Sequence, residues 1–392
     1  MQTKIDGSKL DALLREAVAS GSLRGVTGLI CSSQGILYEG GSGLANGHAM
    51  ASDTVCTIAS MTKPITAAAA MQLVEQGKLS LDAPAGDVCP YLHDVQVFEG
   101  YAGDGSPELR APASPVTLRH LLTHTSGFVY DLWNEEFKQY ASATGIPPLM
   151  TLQRAALEVP LMFDPGTRWE YGIGIDWAGL MVEAVSGRSL GEYLTEHLTG
   201  PLGMHDTAFT PNPSMGERMA VIGQRLPDGS ITLPESSPQA DLPDPEFEMG
   251  GAGLLSTARD YARFMRMILN NGELEGARVL APQTVAQMAS NQMGGLRVGF
   301  LKSAEPMLTN DAEFFPGSPK SWGLSFQINE QAEATGRGAG TLMWAGLSNC
   351  YFWIDRSNDV AGLMLTQVLP FADEQCLDLF YAFETAAYDT LE

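Results

Sequence analysis

Ser60 and Lys63 stand three residues apart in Ser-Met-Thr-Lys. On a helix that spacing puts both side chains on one face, within reach of each other. A serine hydroxyl is a poor nucleophile at its own pKa, so a basic amine beside it points to nucleophilic catalysis through an acyl-serine. The flanking residues support the geometry. Residues 54–58 read as a strand and 60–76 as a helix with Pro64 in its first turn, where a missing amide hydrogen costs little. Ser60 is therefore predicted at a helix N-terminus, whose free amides and positive dipole end favour a developing oxyanion. Two aromatic positions matter as well. Tyr171 ends an extended run that follows a Pro165-Gly166 turn and precedes a helix, and Trp344 lies in Trp-Ala-Gly-Leu on a late strand. By residue type alone both read as core or rim.

Four other patterns are set aside on physical grounds. Gly187-Arg-Ser-Leu-Gly191 matches the Gly-x-Ser-x-Gly elbow, which needs a strand before its serine. Here a helix precedes it, so Ser189 is expected to cap the next helix instead. His120 and His124 have metal-ligand spacing without the Glu of His-Glu-x-x-His, and no metal is expected. Gly336-Arg-Gly-Ala-Gly340 leads to a strand, not a helix, and reads as a flexible loop, with no dinucleotide site. Gly250-Gly-Ala-Gly253 lacks the Lys-Ser/Thr of a phosphate loop and suggests close backbone approach near the cleft.

The elements that must position these residues follow from periodicity. Ile5, Leu10, Leu13, Leu14 and Val18 have amphipathic helical spacing; 26–31 and 36–39 read as a hairpin around Ser-Ser-Gln-Gly. After the Ser60 helix comes a Pro- and Gly-rich stretch, then helical segments at 117–123, 152–157, 176–185, 190–198 and 258–269. Strand patterns return at 322–328, 341–344, 351–354 and 360–367, the last two flanking Arg-Ser-Asn-Asp as a hairpin, before a final helix over 373–390. Strands at both ends with helices between them predict an α+β fold: a mostly antiparallel sheet built from the two termini, with flanking helices and an inserted, mainly helical domain. The predicted division is 1–78 with 250–392 for the sheet domain and 79–249 for the helical one, the cleft lying between them. Residues 233–248, rich in proline and acids, read as an exposed loop.

Taken in order, these elements resemble the serine hydrolases of the class C β-lactamase and penicillin-binding-protein superfamily, and most closely the family VIII carboxylesterases. The resemblance covers most of the chain: Ser60-Met-Thr-Lys63, His120 to Gly127 (HLLTHTSG), Phe163 to Tyr171 (FDPGTRWEY), Pro201 to Thr207 (PLGMHDT), Gly250 to Phe264, Trp322 to Phe326 (WGLSF) and Trp344-Ala-Gly346. It implies a β-lactamase-like fold and a carboxylesterase of short-chain esters without cofactor. Ser60 would be the acylated nucleophile and Lys63 with Tyr171 the general-base pair, the two side by side and sharing one proton. The backbone N–H groups of Ser60 and Leu347 would form the oxyanion hole; Trp344, Gly346 and Tyr130 would line the substrate site. Two departures bear on substrate. Tyr171-Gly-Ile173 lacks the Asn that lactamases carry two residues after the tyrosine, and Trp344 stands where their third motif begins with Lys. A neutral, bulky wall favours uncharged acyl groups. An acyltransferase, a weak β-lactamase or a D-aminopeptidase shares the first half-reaction, and a non-catalytic binding relative is the reading from another class.

Composition narrows the partners. Lys and Arg number 23 against 46 Asp and Glu, a formal charge of -23 at pH 7. Such a field repels polyanions and argues against nucleic acid and anionic membrane surfaces. The apolar run around Ala67–Ala70 is too short for a bilayer, which requires roughly 20 residues. The five cysteines are odd in number and scattered, so reduced thiols and a cytoplasmic home are expected. The expected partner is a small-molecule ester, with homo-oligomerisation left open.

Overall fold

The computed structural model describes residues 5–234 and 244–391. Helix α1 (Gly7–Ala19) leads into strands β1 (Gly25–Cys31), β2 (Ile36–Ala45) and β3 (His48–Ala49). Near the other end come β4 (Lys320–Trp322), β5 (Gln327–Asn329), β6 (Leu342–Gly346), β7 (Cys350–Asp355) and β8 (Val360–Leu365). These form one eight-stranded sheet in the order β4-β5-β6-β7-β8-β1-β2-β3. Every pairing is antiparallel, and β8 joins the two chain ends through Thr27↔Leu365 to Cys31↔Ala361. The sheet expected from both termini is thus present.

Strands β1, β6, β7 and β8 are buried at every position, the signature of a sheet covered on both faces. The C-terminal helix Glu374–Asp389 lies so close that a Cβ on Gly28 would meet the Phe383 ring at 2.5 Å. Helix α1 is tied to β2 by Tyr38 OH donating to Asp11 Oδ1 at 2.9 Å. Helix α2 (Thr62–Glu75) is buried on all sides from Thr62 through Leu73. A helix apolar all round belongs inside a protein core; its alanines admit close neighbours, and Thr66 Oγ1 donates to the Gly250 carbonyl at 2.7 Å. Among the described residues, no helix is long and apolar enough to cross a membrane. All five cysteines are free and buried.

Several expectations need correction. The 322–328 run is a hairpin, β4 and β5, because Ser325 adopts φ 77 and the chain reverses there. Residues 152–157 make no regular helix: short 3-10 turns span Leu149–Thr151 and Arg154–Ala156, separated by left-handed Leu152 at φ 55. Strand β2 runs on to Ala45, well past 39. The Gly336–Gly340 segment is anchored: Arg337 is fully buried, and its Nη2 donates to Glu384 Oε2 at 2.7 Å. The middle region also carries an unexpected hairpin, Val97–Tyr101 with Pro107–Arg110. Of the expected exposed loop at 233–248, residues 235–243 lie outside the described residues.

Candidate active site

Ser60 sits in a single 3-10 turn, Ala59–Met61, that runs straight into α2. Ala59 just before it adopts φ 43. A non-glycine residue in left-handed backbone is strained, and the surrounding structure must hold it there. The hold comes from Gly346 at the end of β6, where a Cβ would meet the Ile58 carbonyl oxygen at 2.2 Å; only glycine lets the strand end approach this turn. Leu347, the other expected oxyanion residue, follows at once and is half-buried. Ser60 is half-buried too, so a substrate can reach its hydroxyl.

Lys63 is one turn along α2 and 0% exposed. Its ammonium has three donors and three acceptors: Ser60 Oγ at 3.1 Å, Tyr130 OH at 3.0 Å and the Gly251 carbonyl at 2.7 Å. Burial pushes its pKa down to about 7, and the Asp176 carboxylate opposes that shift. Lys63 does not hydrogen-bond the Tyr171 oxygen; Nζ lies over the Tyr171 ring, 4.7 Å from its centroid. Tyr130, expected on the pocket wall, is the phenol bonded to the lysine. It is buried, and desolvation raises its pKa well above that of a free phenol.

Tyr171, 2% exposed, accepts from Trp344 Nε1 at 2.9 Å. Burial raises its pKa, while the nearby Ser60 hydroxyl and the Trp344 hydrogen bond oppose the rise because each favours the phenolate. Trp344, expected only as a wall, is therefore also an electrostatic partner. Around this pair the rings of His124, Tyr130, Trp133, Trp169 and Trp322 enclose Tyr171, with centroids from 4.5 to 6.5 Å away. Such a wall excludes water and lowers the local dielectric, which strengthens each charge-assisted contact within it.

Two residues to which sequence reasoning gave no role in the site belong to the same cluster. His124 is buried, and its Nδ1 accepts from the Gly172 N–H at 3.3 Å, fixing the backbone next to Tyr171. Desolvation and then the Lys63 charge hold its pKa well down, so the ring is neutral. Asp176 is 0% exposed on the helix Gly174–Ser186, and its Oδ1 accepts from the Gly251 N–H at 2.8 Å. A carboxylate within an otherwise apolar Gly-Ile-Asp-Trp-Ala-Gly-Leu-Met run was the available signal. The Gly250-Gly251 pair is, as expected, a place of close approach: a Cβ on Gly251 would meet Asp176 Oδ2 at 2.5 Å.

The patterns set aside fall elsewhere. Ser189 caps helix Leu190–Leu194 in a full capping box, its Oγ accepting from Glu192 N at 3.2 Å and its own N–H donating to Glu192 Oε2 at 3.1 Å. His120 faces Gly166, away from the Tyr171 ring that His124 touches. Among the described residues, no group of three or more His, Cys, Asp or Glu is arranged to hold a metal ion.

Known proteins share this arrangement of chain. The family model described as beta-lactamase matches residues 10–387. The lovastatin esterase of Penicillium rubens is 30% identical over 97% of this chain and 98% of its own. The acyltransferase calJ of Penicillium decumbens is 30% identical over 85% of this chain and 80% of its own. Among solved structures, unliganded simvastatin synthase (LovD) from Aspergillus terreus superimposes with a TM-score of 0.82 at 28% identity, covering 97% of each chain.

Proposed function

We propose that this chain, which belongs to the beta-lactamase family, hydrolyses short-chain, uncharged carboxylic esters through an acyl-Ser60 intermediate, in the manner of family VIII carboxylesterases. The observation that carries the reading is the contact of Lys63 Nζ with Ser60 Oγ beside a Tyr171 hydroxyl held by Trp344. Ser60 Oγ attacks the ester carbonyl carbon, and its proton passes into the Lys63/Tyr171 pair. The carbonyl oxygen becomes an oxyanion at the Ser60 and Leu347 N–H groups and the turn at the start of α2. As the oxyanion collapses, the bond from acyl carbon to alkoxy oxygen breaks, and Tyr171 returns the proton to the departing alcohol. Water then attacks the acyl-serine, gives its proton to the same pair, and releases the acid. Trp344, buried and uncharged, and the aromatic wall provide no partner for a substrate carboxylate, which supports neutral acyl groups.

The test is stopped-flow hydrolysis of p-nitrophenyl butyrate with intact-mass analysis of the quenched enzyme. A burst of p-nitrophenol and a butyryl adduct, both absent in Ser60→Ala, are expected. Absence of turnover and adduct in the wild type refutes the reading. A second reading, transfer of the acyl group to an alcohol, is favoured by the water-excluding aromatic wall and by the similarity to an acyltransferase. An added alcohol that raises nitrophenol release and appears as a new ester would support it.

A further inference from the structure

Lys63 is held from three sides, by Ser60 from its own helix, by Tyr130 from the segment after His124, and by the Gly251 carbonyl. Ser60 is the nucleophile of the proposed relay, and Tyr130 is a buried phenol beside it. The third belongs to a residue whose own N–H donates to Asp176 Oδ1, so Gly251, through the two peptide groups on either side of its Cα, links a buried carboxylate to a buried amine. Asp176 Oδ2 is buried and has no hydrogen-bond partner. A carboxylate with an unsatisfied oxygen is costly in a core unless a nearby cation offsets the charge. Lys63 is that cation. The groups facing it are otherwise Tyr130, Tyr171 and the neutral His124, none of which brings an opposite charge when protonated.

We infer that Asp176, through Gly251, is the positioning residue that holds the Lys63 amine against Ser60 and sets the charge of the Ser60–Lys63–Tyr171 network. This rests on the reading of Ser60 as nucleophile. The direction of its effect follows from the sign of the charge. An anion at Asp176 makes a proton harder to remove from Lys63 and from Tyr171 alike, and both are shifted upward by it. Removing the anion therefore lowers the pKa of the base whichever of the two carries it. Gly251 must be glycine for the same arrangement, because a Cβ there would displace the carboxylate.

The experiment measures the rate of Ser60 modification by a fluorophosphonate, in which an Oγ–P bond forms and fluoride leaves, as a function of pH. Wild type, Asp176→Asn, Asp176→Ser and Ser60→Ala are compared. Both Asp176 variants are expected to move the acidic limb to lower pH by about one unit or more, the size of an opposite-charge effect at close range. A rate loss with the limb unmoved would reduce Asp176 to a packing role and overturn the inference. If wild-type enzyme is not labelled, or the label sits elsewhere than Ser60, the nucleophile assignment fails instead. A second measurement does not depend on the Asp176 variants folding: carbon-13 NMR of the aspartate carboxyl groups in wild type and Lys63→Met. Loss of the cation should move one buried aspartate titration to higher pH; no such movement overturns the inference.

Discussion

Replacing Trp344 by Phe removes one hydrogen-bond donor from the Tyr171 oxygen while keeping an aromatic ring in the wall. The bond lost is 2.9 Å long and fully buried. In the proposed mechanism its partner oxygen is the phenolate that takes the serine proton, so the bond is charge-assisted in that form, worth about 1.5–3 kcal/mol in such settings. At about 1.36 kcal/mol per factor of ten, kcat/KM should fall by roughly 10- to 150-fold. The pH dependence carries a sign. Trp344 favours the phenolate and so lowers the Tyr171 pKa; without it that pKa rises, and the acidic limb of kcat/KM moves to higher pH by about one to two units. The assay is kcat/KM for p-nitrophenyl butyrate across the neutral and alkaline range, in wild type, Trp344→Phe, Tyr171→Phe and the double variant. In the Tyr171→Phe background the Trp344 change should cost little more, since no hydroxyl remains to receive the indole. An unmoved acidic limb, or equal losses in both backgrounds, would show that Trp344 acts by packing and would refute the argument.

Lys63→Ala and Tyr171→Phe should each lose nearly as much turnover as Ser60→Ala, because members of one proton relay act as a unit; retention of more than about a tenth of wild-type kcat by either contradicts it. Ser189→Ala should lower stability by about 1 kcal/mol through loss of the helix cap and leave ester turnover unchanged, as urea unfolding and initial rates will show. Glu384→Gln strands the buried Arg337 cation and should destabilise the fold by about 3–5 kcal/mol; pairing it with Arg337→Met should recover part of that loss in the same unfolding assay.

Legibility in the sequence tracked the distance over which each relation acts. Ser60 and Lys63 belong to one helical turn, so their spacing foretold a contact that the structure places at 3.1 Å. Ser189 as a cap depends on the three residues after it and was equally legible. The errors were of the same local kind. Nothing in Trp-Gly-Leu-Ser-Phe announces a left-handed serine, and the apolar residues of 152–157 keep helical spacing although Leu152 takes a conformation that ends the turn. Alternation and periodicity report which residues want burial; they do not report where a neighbouring backbone forces the chain to turn.

The sequence by itself determined the order of elements, the two-ended origin of the sheet and the turn of helix that sets an amine beside a serine hydroxyl, because these follow from periodicity and near-neighbour spacing. The tertiary structure alone decided which groups surround the Lys63 amine and the Tyr171 oxygen. Tyr130, not Tyr171, bonds the Lys63 amine, Trp344 donates to Tyr171 across 173 positions of sequence, and Asp176 is hydrogen-bonded to the N–H of Gly251, the residue whose carbonyl takes the amine. These partners come together because sheet register, helix packing and the close approaches at Gly346 and Gly251 fix the chain in three dimensions. The charge on a buried group depends on the few ångströms around it, and those neighbours are chosen by the fold.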